Sequence, residues 1–471
     1  MKLVWFRRDL RSNDNPALYE ASLAKQGVIA LHITTPQTWH SHKMSEVQQN
    51  WLAQNLNDLQ KSLKKYNIPL IRTSTNYFSE CYQVILNIIT KYNIKGLYFN
   101  EEYEWDERKR DCLVIEKLKL NNIRTFTFHD QFIIPPSSIL NQQSNPYVVF
   151  TPYKKACLNY IHSDIAKLLP YDAPLIQEQT TIDSYNDSPL PPAHTQDISW
   201  LKSGSDAGLD KINKFVETKV NNYEKVRDIP SIYGTSCLSP YLALGVISAR
   251  QCIASLLSST KHYSINEILS NNGAMTWLSE LMWRDFYKMI CLNFPRISRS
   301  QPFKLKTNKI EWSNNEEHLI AWQKGKTGVP IVDAAMRQLN KYGWMHNRLR
   351  MVTAMYLTKN LWIDWRKGES YFASNLVDWD FSSNNGGWQW SASTGTDSVP
   401  YFRIFNPISQ SERFDPHGKF IRQYCPELQQ FSDKDIHNPL PSGFNKIDYP
   451  NPLVDLKRSR LNAIEHFKSL K

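Results

Sequence analysis

The 471-residue chain has no run of apolar residues approaching the roughly 20 needed to cross a bilayer, which argues against membrane insertion. Its N-terminal apolar stretch, Leu3 to Phe6, runs straight into Arg7, Arg8, Asp9 and Arg11, so the hydrophobic segment of a secretion signal is missing. The seven cysteines, at 81, 112, 157, 237, 252, 291 and 425, are odd in number and contain no C-x-x-C pair. A zinc site, a dithiol redox centre and a disulfide framework therefore lack their carriers, no metal ligand set is expected, and reduced thiols in a cytoplasmic enzyme fit best. Also missing are G-x-G-x-x-G, H-E-x-x-H and G-x-S-x-G, so nicotinamide, zincin and serine-hydrolase chemistry have no motif to stand on. Gly325-Lys326-Thr327 has the end of a phosphate loop, but Ile320 stands where its first glycine belongs, which removes nucleoside triphosphatase activity. No internal repeat, coiled coil or obvious sticky edge appears, and a compact monomer is the default.

What is present points elsewhere. The 56 Lys and Arg against 45 Asp and Glu give a net charge of +11, which favours a polyanionic partner such as nucleic acid, although many basic proteins bind none. With 41% apolar residues and a length beyond one ordinary core, two domains and a connector are expected. Over residues 1–130, short apolar runs alternate with segments of helical period. The runs are Leu3 to Phe6, Val28 to Ile33, Pro69 to Arg72, Leu97 to Phe99 and Thr125 to Phe128. The alternation predicts an α/β domain built on a doubly wound parallel sheet. Residues 131–200 read as an interdomain connector, because nine of the 25 prolines fall between Pro135 and Pro192. Residues 201–471 read as a mainly helical domain, with helices expected over Asp210 to Tyr223, Ala274 to Leu292 and Val329 to Tyr342.

Ten of the 15 tryptophans lie between Trp277 and Trp390. Core filling is the plain explanation. Stacking platforms for bases or a flavin ring, and a chain of oxidisable indoles, compete with it. The stretch Asn384-Asn385-Gly386-Gly387-Trp388-Gln389-Trp390 is the least core-like in the chain. Its glycines allow close approach to a ligand and its amides can meet a planar polar edge, or it is an ordinary turn between helices. Just upstream, Asp378 and Asp380 offer carboxylates to an isoalloxazine N–H, unless they serve a solvated face or an ion pair. Gly234 to Ser239 is a hydroxyl-rich approach to a helix, able to hold phosphate or simply to cap.

Long stretches of the chain resemble the photolyase and cryptochrome family. Val4-Trp5-Phe6-Arg7-Arg8-Asp9-Leu10-Arg11 with Asn13-Asp14-Asn15 is similar to that family's opening. So are Glu280 to Tyr287, Gly325 to Leu339, Gly343 to Met351 and Asn384 to Pro407. Among its members the chain resembles the bacterial class I enzymes for cyclobutane pyrimidine dimers. The resemblance implies an N-terminal antenna domain and a C-terminal helical domain that binds FAD. It implies light-dependent DNA repair in which photoexcited reduced FAD gives an electron to a flipped-out dimer. The implied FAD-binding residues are Tyr223, Thr235, Ser236, Cys237, Leu238, Ser239, Arg284, Asn347, Arg350, Asp378, Asp380 and Asn384. Arg350 would pair with Asp378, and Asn384 would face flavin N5. Trp388, Trp365 and Trp312 match an electron relay running from the flavin outward. Glu280 would stabilise charge on the dimer, Trp283 and Trp390 would stack on it, and Asn347, Met351 and Arg227 would line its pocket. Arg348 would hold DNA phosphate.

The family's folate antenna site matches His42, Asp106, Glu107 and Arg299, with Asp106 where Asn is usual and Arg299 where Lys is usual. Methenyltetrahydrofolate is the implied antenna, with a deazaflavin or no antenna as alternatives. Cys237 stands where Arg is common. The rival readings are a (6-4) photolyase, which carries paired histidines where this chain has His346-Asn347, and a cryptochrome photoreceptor, which usually has a long C-terminal extension.

Overall fold

A computed structural model describes residues 1–163, 168–179, 182, 187–189, 191–259, 265–439 and 448–470. Five strands form one parallel sheet: β1 (Lys2–Phe6), β2 (Val28–Thr34), β3 (Leu70–Ser74), β4 (Gly96–Asn100) and β5 (Arg124–Phe128). Each of the five expected strands is found, with its ends shifted by at most two residues. Their order is β3-β2-β1-β4-β5, with Leu3 level with both Ile29 and Leu97. Parallel neighbours need crossovers, and helices Pro16–Ser22, Glu46–Lys64, Cys81–Lys91 and Trp105–Leu120 supply them. The longest is started by Ser45, whose hydroxyl accepts the Gln48 N–H, and ends with Lys61 and Lys64 in its last turn. Leu3, Trp5, Ile29, Leu31, Leu97 and Phe99 from the sheet pack against Ile85, Ile89, Val114 and Leu118.

In such a sheet a ligand crevice is expected where the strand order reverses, here at the carboxyl ends of β1 and β4. Protein side chains fill it instead. Arg7 Nη1 meets Asp111 Oδ1 at 3.0 Å, and the Asn100 amide donates to Asp9 at 2.7 Å and to Asn15 at 2.9 Å.

The chain forms two compact units that interleave along the sequence. The first holds residues 1–194, 201–221 and 236–295; the second holds 195–200, 222–235 and 296–471. The connector reading needs correction, because Phe150–Ser163 is a 14-residue helix. Its single proline, Pro152, sits in the first turn, where a missing N–H breaks no helical bond. Connector residues 164–167, 180, 181, 183–186 and 190 lie outside the described residues. The expected helix from Asp210 to Tyr223 is instead Ser205–Thr218, followed by the short turns Val220–Asn222 and Tyr223–Val226.

Helix Asn272–Asn293 of the first unit is capped by the Asn271 side chain and buries Trp277, Leu278, Leu281, Phe286 and Met289. In the second unit, helix Pro330–Tyr342 ends on Gly343, whose φ of +61° suits glycine. Its core gathers Trp322, Val332, Met336, Leu349, Trp365 and Trp388. All seven cysteines carry free thiols, six of them buried. Among the described residues, no helix is long and apolar enough to cross a membrane.

Candidate functional site

The segment Asn384 to Trp390 is helical, within Phe381–Ala392. A turn was one reading of it, since Asn and Gly both disfavour helix; tertiary packing overrides that preference. The Asp380 carboxylate starts the helix, accepting the Ser383 N–H at 2.9 Å and its hydroxyl at 2.8 Å. From there Ser383, Asn384, Gly387, Trp388 and Ser391 recur at helical spacing and form one wall of a cavity of about 140 Å³. A Cβ added at Gly387 would meet nothing within 4 Å, so the glycine leaves that wall open. The opposing wall includes Asn347 and Met351, one turn apart on helix Asn347–Met355, with Arg350, Asp378 and Trp379.

The charges of this cavity are anchored. Arg350 Nη2 lies 2.8 Å from Asp378 Oδ2, and its Nε donates to the Met345 carbonyl at 2.9 Å. Asp378 Oδ1 and Trp388 Nε1 are buried without a hydrogen-bond partner in the protein. One unsatisfied acceptor and one unsatisfied donor on a single cavity wall suit a flat ligand with polar edges. The Asn384 amide donates to the Glu369 carbonyl at 3.1 Å, which fixes its orientation. Beside it, Asn385 donates to the Glu369 carboxyl at 2.9 Å. Burial pushes that carboxyl up to about 7, against the pull of the Asn385 hydrogen bond and Arg366.

Trp388 is wedged. Phe372 lies edge-on at 5.0 Å and Trp322 at 6.0 Å. A Cβ at Gly368 would come 2.1 Å from the far edge of the Trp388 ring, so only glycine fits there. Gly368 is one turn from Trp365 on helix Trp365–Ala373, which brings the backbone bearing Trp365 against Trp388. Trp365 is fully buried, and Trp312 packs, partly buried, against the same core. Trp390, two positions beyond Trp388, leaves the stripe and stands 6.5 Å from Phe405. Neither Trp365, Trp312 nor Trp390 lines the cavity.

Other candidates of the second unit have protein partners. Arg348 holds Asp228 through Nη2 at 2.7 Å and Nε at 3.3 Å, with its guanidinium 4.4 Å from the Phe414 ring centre. Arg227 lies over the Tyr223 ring at 5.4 Å. Thr235 is half-buried, and Arg299 is exposed on the turn Pro295–Arg299.

In the first unit, helix Asn272–Asn293 carries Glu280, Trp283 and Arg284 within about one turn. Phe150 stacks on Trp283 at 3.6 Å and 12°, covering one face of the indole. Phe286 abuts it edge-on at 5.6 Å, and Arg284 Nη1 donates to the Gln131 carbonyl. Ser236, Cys237, Leu238 and Ser239 precede or open the short helix Ser239–Ala243, with Cys237 at a φ of +50°. The Trp277 indole N–H reaches the Ser236 hydroxyl at 3.5 Å.

A second cluster of the first unit joins the three other antenna candidates. His42 Nε2 lies 3.1 Å from Asp106 and its Nδ1 3.8 Å from Glu107. Arg8 faces Glu102, Glu104 and Glu107 at 3.6 to 3.8 Å. Burial, reinforced by Glu104, holds the Glu107 carboxyl well above the usual range despite Arg8. Such a group can donate as well as accept.

Sequence reasoning missed Phe150, Gly368, Glu369, Trp379 and Asp228. A lone glycine inside a helical pattern was a legible signal at 368; the others had no local one.

Known proteins align with this geometry from end to end. Residues 2–173 match the family described as DNA photolyase, and residues 277–469 match the FAD binding domain of DNA photolyase. The deoxyribodipyrimidine photo-lyase of Vibrio cholerae is 40% identical over all of both chains. That of Escherichia coli is 40% identical over 99% of this chain and 98% of its own. Among solved structures, a class III photolyase from Agrobacterium tumefaciens superposes with a TM-score of 0.89 at 31% identity, covering 99% of this chain and 97% of that one. The Synechocystis cryptochrome gives 0.88 at 27% identity, covering 99% and 98%.

Proposed function

This chain belongs to the DNA photolyase family, and from that premise we propose that its cavity residues bind FAD and that its aromatic residues receive the DNA lesion. The protein repairs cyclobutane pyrimidine dimers in DNA by a light-dependent carbon–carbon lyase reaction. Bound reduced FAD supplies the photoexcited electron donor and accepts the electron back after ring splitting.

The residues fit that group. Arg350, Asp378, Asp380 and Asn384 hold the polar edge of the ring, with Asn384 presented by its bond to the Glu369 carbonyl. A neutral amide there, rather than an acid, suits a fully reduced flavin. Tyr223, Thr235, Ser236, Cys237, Leu238 and Ser239 hold the phosphates, while Arg284 and Asn347 complete the cofactor set. Trp388, Trp365 and Trp312 pass electrons inward one at a time, and the burial of the first two keeps water from the path.

Trp283 and Trp390 stack on the flipped dimer. Phe150 backs Trp283 and presents its other face. Glu280 hydrogen-bonds the dimer carbonyls and stabilises the charge that builds there; Asn347, Met351 and Arg227 line the pocket. Extrusion is cheapest for a base pair that is already distorted. Arg348 holds DNA phosphate and trades part of its bond to Asp228 for it.

Methenyltetrahydrofolate is the antenna, at His42, Asp106 and Glu107 with Arg299. The filled crevice at the ends of β1 and β4 argues against a ligand in that position. The enzyme works as a cytoplasmic monomer.

The observation that carries the reading is the stripe from Asp380 to Ser391 facing the Arg350–Asp378 pair across one cavity. The test is repair of a thymine dimer in an oligonucleotide by purified, reduced protein under blue light and in darkness. Light-dependent restoration is expected. No restoration with FAD bound and reduced would move the assignment to the (6-4) lesion or to a photoreceptor. Extraction and mass measurement of the second chromophore checks the antenna.

A further inference from the structure

Beyond Trp312 the second unit places another indole that the relay described above does not use. Trp362 lies with its ring centre 4.9 Å from that of Trp312, the planes tilted by 40°. The backbone holds it there: Ser313 N–H donates to the Trp362 carbonyl at 2.7 Å, and Ser313 and Ile363 form a parallel bridge. Trp362 adopts a φ of +56°, a conformation that side-chain-bearing residues rarely take and that surrounding structure must enforce. Its Nε1–H donates to the Glu311 carbonyl at 2.8 Å. The His466 ring lies 4.7 Å away at 38°, and Phe467 meets it edge-on at 5.6 Å.

We propose that Trp362 is the outermost member of the tryptophan relay, taking the hole from Trp312. The inference rests on the relay assigned to Trp388, Trp365 and Trp312. In the added step one electron passes from Trp362 to the Trp312 radical cation, which returns to the neutral indole; no bond forms or breaks. The two rings are in contact, so the transfer crosses no gap. The Glu311 carbonyl is too weak a base to take the indole proton, so Trp362 stays a radical cation, its charge facing a carbonyl dipole and a neighbouring aromatic ring. An exogenous thiol in solution supplies the electron that finally refills it. The extra hop moves the hole farther from the cavity and slows its return.

The competing role for Trp362 is packing against the C-terminal helix Leu456–Lys468, which Trp362→Phe preserves while removing an oxidisable ring. The experiment uses FAD-loaded protein, flash excitation and two readouts: decay of the tryptophan radical cation by transient absorption, and the dipolar splitting of the radical pair by electron paramagnetic resonance. Trp362→Phe should shorten the radical lifetime severalfold and enlarge the splitting, which rises as the radicals come closer. Trp362→Tyr should give a neutral tyrosyl radical, its proton passing to solvent, and serves if the Phe variant fails to load FAD. Identical decay and splitting in parent and Trp362→Phe, or no tyrosyl radical in Trp362→Tyr, overturns the proposal. Full photoreduction in Trp388→Phe would instead overturn the relay itself, independently of Trp362.

Discussion

Replacing Gly368 with alanine tests the packing that seats Trp388. In an exposed helix this change stabilises by about 1 kcal/mol, because glycine is the poorer helix former. Here the added methyl would lie 2.1 and 2.4 Å from Cη2 and Cζ3 of Trp388 and 2.6 Å from Cδ2 of Leu357. None of these can give way freely, since Trp388 is hemmed in by Phe372 and Trp322 and Leu357 is fully buried. Overpacking of a dense core costs about 1–3 kcal/mol, so the clash outweighs the helical gain and the variant is expected to lose up to about 2 kcal/mol. Displacing Trp388 should also slow photoreduction of bound FAD under blue light. The two clashing ring atoms belong to the six-membered ring of the indole, which phenylalanine does not reproduce at that reach. Gly368→Ala combined with Trp388→Phe should therefore recover stability, a coupling that a thermal-unfolding double-mutant cycle reads directly. Stability equal to or above the parent in Gly368→Ala, with photoreduction unchanged, would refute the packing argument.

Arg350→Ala leaves Asp378, 1% exposed, as an unpaired buried carboxylate, a loss of about 3–5 kcal/mol for a buried pair and somewhat less here because Arg350 is one-quarter exposed; thermal unfolding and the ratio of FAD to protein should both fall. Glu369 has its folded pKa raised to about 7, so the folded protein holds a proton that the unfolded chain releases above the ordinary carboxyl range. Stability from this group is therefore lost as pH rises from about 4.5 to 7. The full shift corresponds to about 3 kcal/mol, reduced by the residue's partial contact with solvent, and Glu369→Gln should flatten that slope in denaturation measured from pH 5 to 8. Phe150→Ala removes an aromatic pair worth about 0.5–1.5 kcal/mol, and affinity for a dimer-containing oligonucleotide should drop up to about tenfold; unchanged affinity would remove Phe150 from the platform. Asp228→Asn releases Arg348 from its ion pair, so DNA should bind more tightly at low salt and the salt slope should steepen by about one unit.

The parts of this molecule that local chemistry determines were legible, and the parts that depend on distant partners were not. Each sheet strand is a short buried apolar run whose neighbours are parallel, and burial on both faces makes such runs visible without an alignment. The Phe150–Ser163 helix was hidden because proline density is a regional signal, whereas proline disrupts only at particular positions, and Pro152 occupies one where it does not. The segment around Gly386 and Gly387 shows the opposite failure. Its composition suggests a turn, but Asp380 caps it, Trp388 locks into the core, and the amides of Asn385 and Gln389 bond along it and to residues far away in sequence. The helix thus forms in spite of its propensity, and the residues that weaken it, two glycines and two asparagines, are those that open and furnish the cavity wall. A conflict between local preference and global structure is expected where function is built in.

The same contrast separates the residues named from the sequence from those that emerged with the fold. Asn384, Trp388, Arg350 and Asp378 carry side chains whose chemistry announces them. Phe150, Gly368 and Glu369 act through others: one covers the back of Trp283, one makes room for Trp388, and one orients Asn384 through a backbone carbonyl. Asp228 alters the meaning of a residue already chosen, since an arginine read as free for phosphate is held by a carboxylate 120 positions earlier. Supporting residues of this kind have ordinary side chains and special neighbours, and neighbours are supplied only by the folded chain.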